Sequence, residues 1–217
     1  MKFITKKRVV LFLLFIFPLM FYLVISSGIN NFAKLPIVTK SIVDISLIDS
    51  TNSVKFKRNI SVVCFLGEDI EGIKGAVFNL NQKIYKAFYA FKNFQVIAIY
   101  PKHKIAEVKE LQKEVGAFTD MVKWKFVASS KAEIEALYAS FKTNEPLNNA
   151  QSTKAFIVDK AVNLRGRTDD EDFKDGILFG YDMNSVAILK DKMKDDVKVL
   201  LAEYRLALKK NDADREI

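Results

Sequence analysis

Chemistry in this 217-residue chain has few residues to start from, with one cysteine, Cys64, and one histidine, His103. Cys64 lies in 61-SVVCFLGEDIEGIKGAVFNL-80, where an apolar run stops at Gly67 and an acidic turn brings Glu68, Asp69 and Glu71. A thiol beside a strand–turn–helix junction could be a redox group or nucleophile, and with an imidazole it could make a soft site for copper. Clustered carboxylates could do acid–base work or hold a hard cation.

Each group also has a plainer reading. The neighbours of Cys64 are Val62, Val63, Phe65 and Leu66, and a cysteine inside an apolar strand is usually buried and inert. His103 stands in 100-YPKHKIAEV-108 between two lysines, which discourage a second positive charge, so a surface-loop residue is expected. Glu68, Asp69 and Glu71 fall where a helix should begin, and unpaired N–H groups and the helix dipole favour acids there. The alternatives at that turn are a hard-cation site or a partner contact. Asp169, Asp170, Glu171 and Asp172, near Arg165 and Arg167, read as a solvated loop, with docking of a basic partner or weak calcium binding as lesser options. Their spacing does not fit an EF-hand. A lone cysteine in a chain can make neither an internal disulfide nor a dithiol site. There is no Gly-rich phosphate loop, no serine elbow and no HExxH.

The elements that would position these residues follow from periodicity. IVDISLID (42–49) alternates as an edge strand, STNS (50–53) is turn chemistry, and VKF (54–56) returns as a second strand. ISVVCFL (60–66) is a strand buried on both faces. Ile73, Val77, Leu80, Ile84, Phe88 and Phe91 then mark one face of a long helix. FQVIAIY (94–100) is a strand, and Ile105, Val108, Leu111 and Val115 mark a helix closed by Gly116. VKWKFVA (122–128) is a strand, and Ile134, Leu137 and Phe141 mark another helix. KAFIVD (154–159) and VNLRG (162–166) pair tightly, and a last helix runs from about Asp191 to Lys210, with Leu208 on its inner face. Phe88, Phe91 and Phe94 are expected in the core, and Trp124 either there or exposed. Strands alternating with helices predict an α/β chain whose mixed sheet is flanked by helices and begins with an N-terminal β-hairpin. That is the order of a thioredoxin-like fold.

The N-terminus predicts location. The apolar core Val9 to Ile25 spans roughly 25 Å as a helix, near the lower limit for a bilayer. Pro18 is tolerable in such a helix. An uncleaved transmembrane anchor is expected, with a cleaved signal peptide or a buried soluble helix as alternatives. Lys2, Lys6, Lys7 and Arg8 precede the span, so the N-terminus is expected inside and the rest in a periplasm or its equivalent. The expected organisation is 1–8 basic flank, 9–28 anchor, 29–40 tether, 41–210 thioredoxin-like domain and 211–217 polar tail. The net charge of +8 drops to +3 once the five basic residues of 1–34 are set aside. That balance, with no basic stripe, argues against nucleic acid as a partner.

The chain resembles the Sco/SenC family, membrane-anchored thioredoxin-fold proteins that deliver copper to, or reduce thiols in, cytochrome oxidase. The resemblance lies in the N-terminal anchor, in 44-DISLIDSTNSVKFKRNISVVCF-65, and in 151-QSTKAFIVDKAVNLRGR-167, and covers about residues 40–210. It implies two cysteines just after the first buried strand and a distant histidine, a soft set that suits copper. On this chain those positions fall on Gly67, Glu71 and Gln151, with Asp69-Ile70 where the family often has the same dipeptide. None is a soft ligand.

The resemblance therefore implies a single-pass protein of the inner (cytoplasmic) membrane, with a degenerate active site and no cofactor. It would act by contact, with Glu68, Asp69, Glu71 and Gln151 as the surface, in respiratory-complex (cytochrome oxidase) biogenesis. Two other readings stay open: a single-thiol oxidoreductase or copper carrier using Cys64 and His103, and a general envelope scaffold.

Overall fold

The computed structural model describes residues 6–26, 34–49 and 53–213, the side chains at 8, 9, 25, 26 and 207–213 excepted. The end of the expected anchor, the tether at 29–33, the turn at 50–52, the Leu208 side chain and residues 214–217 of the tail lie outside the described residues. The chain divides into two units, 1–33 and 34–217.

In the first unit Lys6–Ser26 forms helix α1. The side chains described in its apolar run, Val10 to Val24, are almost all exposed and cover about 22 Å at 1.5 Å per residue. No helix among the described residues is long and apolar enough to cross a membrane.

The second unit is built on a seven-stranded sheet in the order β1-β6-β5-β2-β3-β4, with β7 paired to β5. The strands are β1 (Ile37–Thr39), β2 (Ile60–Leu66), β3 (Phe94–Pro101), β4 (Trp124–Ser129), β5 (Gln151–Val158), β6 (Leu164–Arg165) and β7 (Tyr181–Asp182). β2, β3 and β4 are parallel, and β5 runs antiparallel to β2. All seven residues of β2 are buried, as expected for a strand covered on both faces. Alternation splits them: Val62, Cys64 and Leu66 face one core, Val63 and Phe65 the other.

The first core lies under α2 (Ile70–Leu80), α3 (Ile105–Gly116) and α5 (Lys194–Ala213). The second lies under α4 (Lys131–Ser140), where Phe65, Tyr138, Phe141 and Phe156 pack at 5.1–6.1 Å, edge to face except for the stacked pair Tyr138 and Phe141. Each such buried side chain contributes about 1.5–3 kcal/mol. α4 begins with a capping box: Ser130 accepts from the Glu133 N–H and the Glu133 carboxylate accepts from the Ser130 N–H. Those hydrogen bonds, from the Ser130 and Ser129 hydroxyls first, hold the Glu133 carboxyl down at about 2.

Four expectations need correction. The N-terminal hairpin is absent: 42–49 forms no strand, and Ile45–Leu47 is a 3-10 turn. Ile42, Ile45, Ile48, Val54 and Phe56 are buried as the alternation requires, but side chains replace the ladder. Asp44 accepts from the N–H groups of Ser46, Phe56 and Lys57, and Asp49 from those of Ser53 and Val54. Second, the sheet's first strand, β1, lies in the stretch expected as tether, and the compact unit starts at Lys34. Third, Phe91 is 47 % exposed. α2 continues through a π-helical turn, Asn81–Tyr85, and ends at Phe88, so Phe91 falls beyond the helix. Fourth, Asp170 is buried and salt-bridged rather than solvated.

Candidate functional site

The turn after β2 sits at the C-terminal ends of the parallel strands, where open α/β sheets form ligand crevices. Gly67 has φ +62°, a conformation that suits glycine, and a Cβ there would collide with Gln151 Cβ. Gln151 enters opposite Leu66, after a register shift between β2 and β5. Its amide Nε2 donates to Leu66 O and to Asp69 O, both at 2.8 Å. Of the three positions the resemblance singles out, the structure thus brings Gly67 and Gln151 into contact. The gap between them is closed by a side chain that hydrogen-bonds the turn's own backbone.

Gln151 is delivered by a tight turn in which it exchanges backbone hydrogen bonds with Asn148. The two residues between them, Asn149 and Ala150, have φ +49° and +59°. Asparagine tolerates that region, but alanine carries a steric cost of about 1–2 kcal/mol there. Ala150 is also buried in the second core.

Asp69 does what helix physics asks of it. Its Oδ1 accepts from the Gly72 N–H at 2.9 Å and caps α2. A Cβ on Gly72 would strike that carboxylate, so glycine lets the cap close. Glu71 lies in the first turn of α2, and Lys74 bridges it to Glu114, 2.6 Å away. Glu68 meets His103, whose Nε2 lies 2.7 Å from Glu68 Oε2 on the 3-10 turn Lys102–Lys104. The acidic turn and the lone histidine are therefore one exposed pair rather than two separate features.

Cys64 does not join them. It is fully buried, and its thiol points to Ile97 O at 3.6 Å. Burial pushes the thiol up to about 12, so it stays protonated where thiolate chemistry operates. Among the described residues, no three His, Cys, Asp or Glu side chains are grouped to hold a metal ion.

Two buried charge networks went unread in the sequence. Asp159 is fully buried and receives Arg165 Nε at 2.6 Å, and Arg165 also reaches Glu203. Asp170 receives Lys192 Nζ at 2.7 Å, while Arg167 Nε and Tyr181 OH both donate to Asp196 at 2.7 and 2.6 Å. Desolvation works to raise the Asp170 carboxyl, but Lys192, the Asp172 N–H and Arg167 together hold it below the usual range. Burial, then the Asp196 charge, pushes the Tyr181 phenol well up. The signal was present as Arg165 and Arg167, at alternate positions, beside the acids of 169–172.

No family model matches the chain, and no curated protein matches it. Solved structures do. A SCO1/SenC family lipoprotein from Bacillus anthracis str. Ames aligns with TM-score 0.51 at 13 % identity, over 77 % of this chain and 99 % of that one. A thioredoxin family thiol:disulfide interchange protein from Chlorobium tepidum TLS aligns with TM-score 0.47 at 13 % identity, over 78 % and 99 %. BsSco, a member of the Sco family of cytochrome c oxidase assembly proteins, aligns with TM-score 0.48 at 12 % identity, over 78 % and 98 %. At such identities the likeness to the lipoprotein shows the fold. The 34–217 unit is a thioredoxin-like domain: a mixed sheet flanked by helices.

Proposed function

We propose that this chain is a diverged relative of the Sco/SenC family that acts by protein contact and not by thiol or copper chemistry. The observation that carries this reading is the closed pair Gly67–Gln151. Where the resemblance calls for a cysteine and a histidine, a glycine and a glutamine are packed against each other. The lone thiol, three residues earlier, is sealed inside the sheet. We propose further that the protein is held in the inner membrane by its N-terminal helix with the domain in the periplasm. The positive flank and the uncharged run 9–33 support that placement. The partners proposed are proteins of respiratory-complex biogenesis, met through the exposed turn of Glu68 and Glu71.

Copper titration of the full chain tests the chemistry. The expected result is no stoichiometric binding, and one tight copper per chain would overturn the reading. Affinity capture of the full chain from its own membranes tests the contact. Recovery of oxidase subunits or their assembly factors supports it, and their absence counts against the respiratory role.

A further inference from the structure

At the N-terminal ends of the parallel strands, opposite Gly67, several loops are tied together. Arg58 N donates to Lys160 O at 2.9 Å, Ile60 N donates to Asn93 O at 2.7 Å, and Lys123 Nζ donates to Phe91 O. Tyr85 OH donates to Asp120 O at 2.6 Å and ties in the loop after α3. Between them and α5 opens a groove of about 380 Å³, lined by Ile60, Phe88, Leu201 and Tyr204, with Phe91 at its edge. Its rim carries Lys92, Lys160, Lys198 and Arg205. Beside the groove, apolar side chains stand at the loop tips: Tyr89 is 48 % exposed, Phe91 47 %, Phe118 62 % and Val122 66 %. Lys55, Lys57 and Arg58 are exposed on the loop before β2, and Lys125 is exposed near the start of β4. Among the described residues the acids at this end are few and mostly engaged: Asp195 with Lys198, Glu203 with Arg165, and Asp120 exposed. A domain with little net charge thus gathers cations and bare aromatic tips at one end.

We propose that this end docks on the surface of an anionic bilayer, its lysines and arginines at the headgroups and its apolar tips in the interface. Exposed apolar tips ringed by long cationic side chains have the chemistry of interfacial membrane binding. An acidic protein partner would have to match the shape of four separate tips and an open groove, whereas an interface accepts tips of any shape. The proposal goes beyond the function argued above and does not rest on it.

The full chain carrying Val122→Cys takes an environment-sensitive dye at that position, since Cys64 is sealed in the sheet. It is mixed with vesicles of phosphatidylcholine alone, or of phosphatidylcholine and phosphatidylglycerol in equal parts. The dye is expected to shift to the blue with the anionic vesicles only, and salt should reverse the shift. A dye on Glu71→Cys, at the opposite end, should stay unchanged. Lys2, Lys6, Lys7 and Arg8 at the N-terminus favour anionic vesicles too, so the decisive variant reverses charge at the groove, with Lys92→Glu and Arg205→Glu, and on β4, with Lys125→Glu. It should weaken the response about tenfold or more. The glutamine versions of the same three, which are milder to folding, should give a smaller loss. The proposal fails if the dye at Val122 does not shift, shifts equally with neutral vesicles, shifts together with the Glu71 dye, or shifts undiminished in both charge variants. A shift produced by soluble polyglutamate but not by vesicles also overturns it, in favour of an acidic protein.

Discussion

The two ends of the central sheet have been treated in opposite ways. At the C-terminal ends of β2, β3 and β4, the place for a ligand is filled from within: Gln151 spans the turn and hydrogen-bonds Leu66 O and Asp69 O. At the other end the loops leave an apolar groove open under a cationic rim. Yet the filled end keeps the buried strand and the capped helix of the scaffold. The fold is held by β2 and its two cores, and the chemistry at its tip can be removed without touching them. Fold and function separate at a few side chains.

The largest effect is expected at the open end, where a buried charge holds the loops. Asp159 follows β5, is fully buried, and takes hydrogen bonds from Ala161 N, Asn163 N and Arg165 Nε. Asp159→Ala strands two backbone donors and takes from Arg165 its buried carboxylate, leaving it Leu35 O and Glu203. Removing one partner of a buried pair costs about 3–5 kcal/mol, to be read by denaturant unfolding. A cost under about 1 kcal/mol would mean that this end is not built on the pair.

The filled end should answer more mildly. Gly67→Ala adds left-handed strain and a collision with Gln151, together costing about 2–4 kcal/mol. Adding Gln151→Gly removes the contact with the Gln151 Cβ but leaves its backbone Cα and N 2.7 Å from the new methyl, so the collision is relieved in part and the two substitutions should couple by about 0.5–3 kcal/mol. Strict additivity would break the claim that this end is closed by contact.

Cys64 gives a pH signature of the sealed strand. Its thiol moves from the ordinary 9.0 to about 12 on folding. The folded state therefore binds the proton more tightly, and the contribution is fully present below 9.0 and lost as pH rises toward 12. Unfolding free energy should fall above pH 9 by up to about 1.4 kcal/mol per unit, and Cys64→Ala should flatten that slope. Disulfide reagents should reach the thiol only when denaturant is present. Rapid labelling of the folded chain would revive a single-thiol activity.

Much of this was legible in the sequence, but unevenly. The run Ile60–Leu66 and the change of period after Gly67 place β2 and α2, because burial on two faces and on one face leave different patterns. The cap at Asp69 is legible for the same local reason. The alternation of 42–49 misleads because Ile42, Ile45 and Ile48 are buried by a chain that has side-chain carboxylates for a ladder. Nothing local announces that Gln151 will reach Leu66, 85 positions away, or that His103 will meet Glu68, 35 away. The open groove draws on strand ends, loops and α5 together, so no single stretch carries its pattern.

The smallest effect on stability should come from the exposed pair at the filled end. Glu68 and His103 touch at 2.7 Å, but the histidine side chain is 65 % exposed. Such a pair contributes about 0.2–1 kcal/mol, so Glu68→Lys should leave unfolding nearly unchanged. Its value lies in what it separates. If protein contact runs through the filled end, Glu68→Lys with Glu71→Lys should abolish partner capture while vesicle binding persists. Lys92→Glu with Arg205→Glu should weaken the vesicle response of the Val122 dye while partner capture persists. If one pair of substitutions removes both, the two ends serve one surface and their contrast is only architectural. If each removes its own, a closed end that meets protein and an open end that meets lipid are independent parts of the same domain.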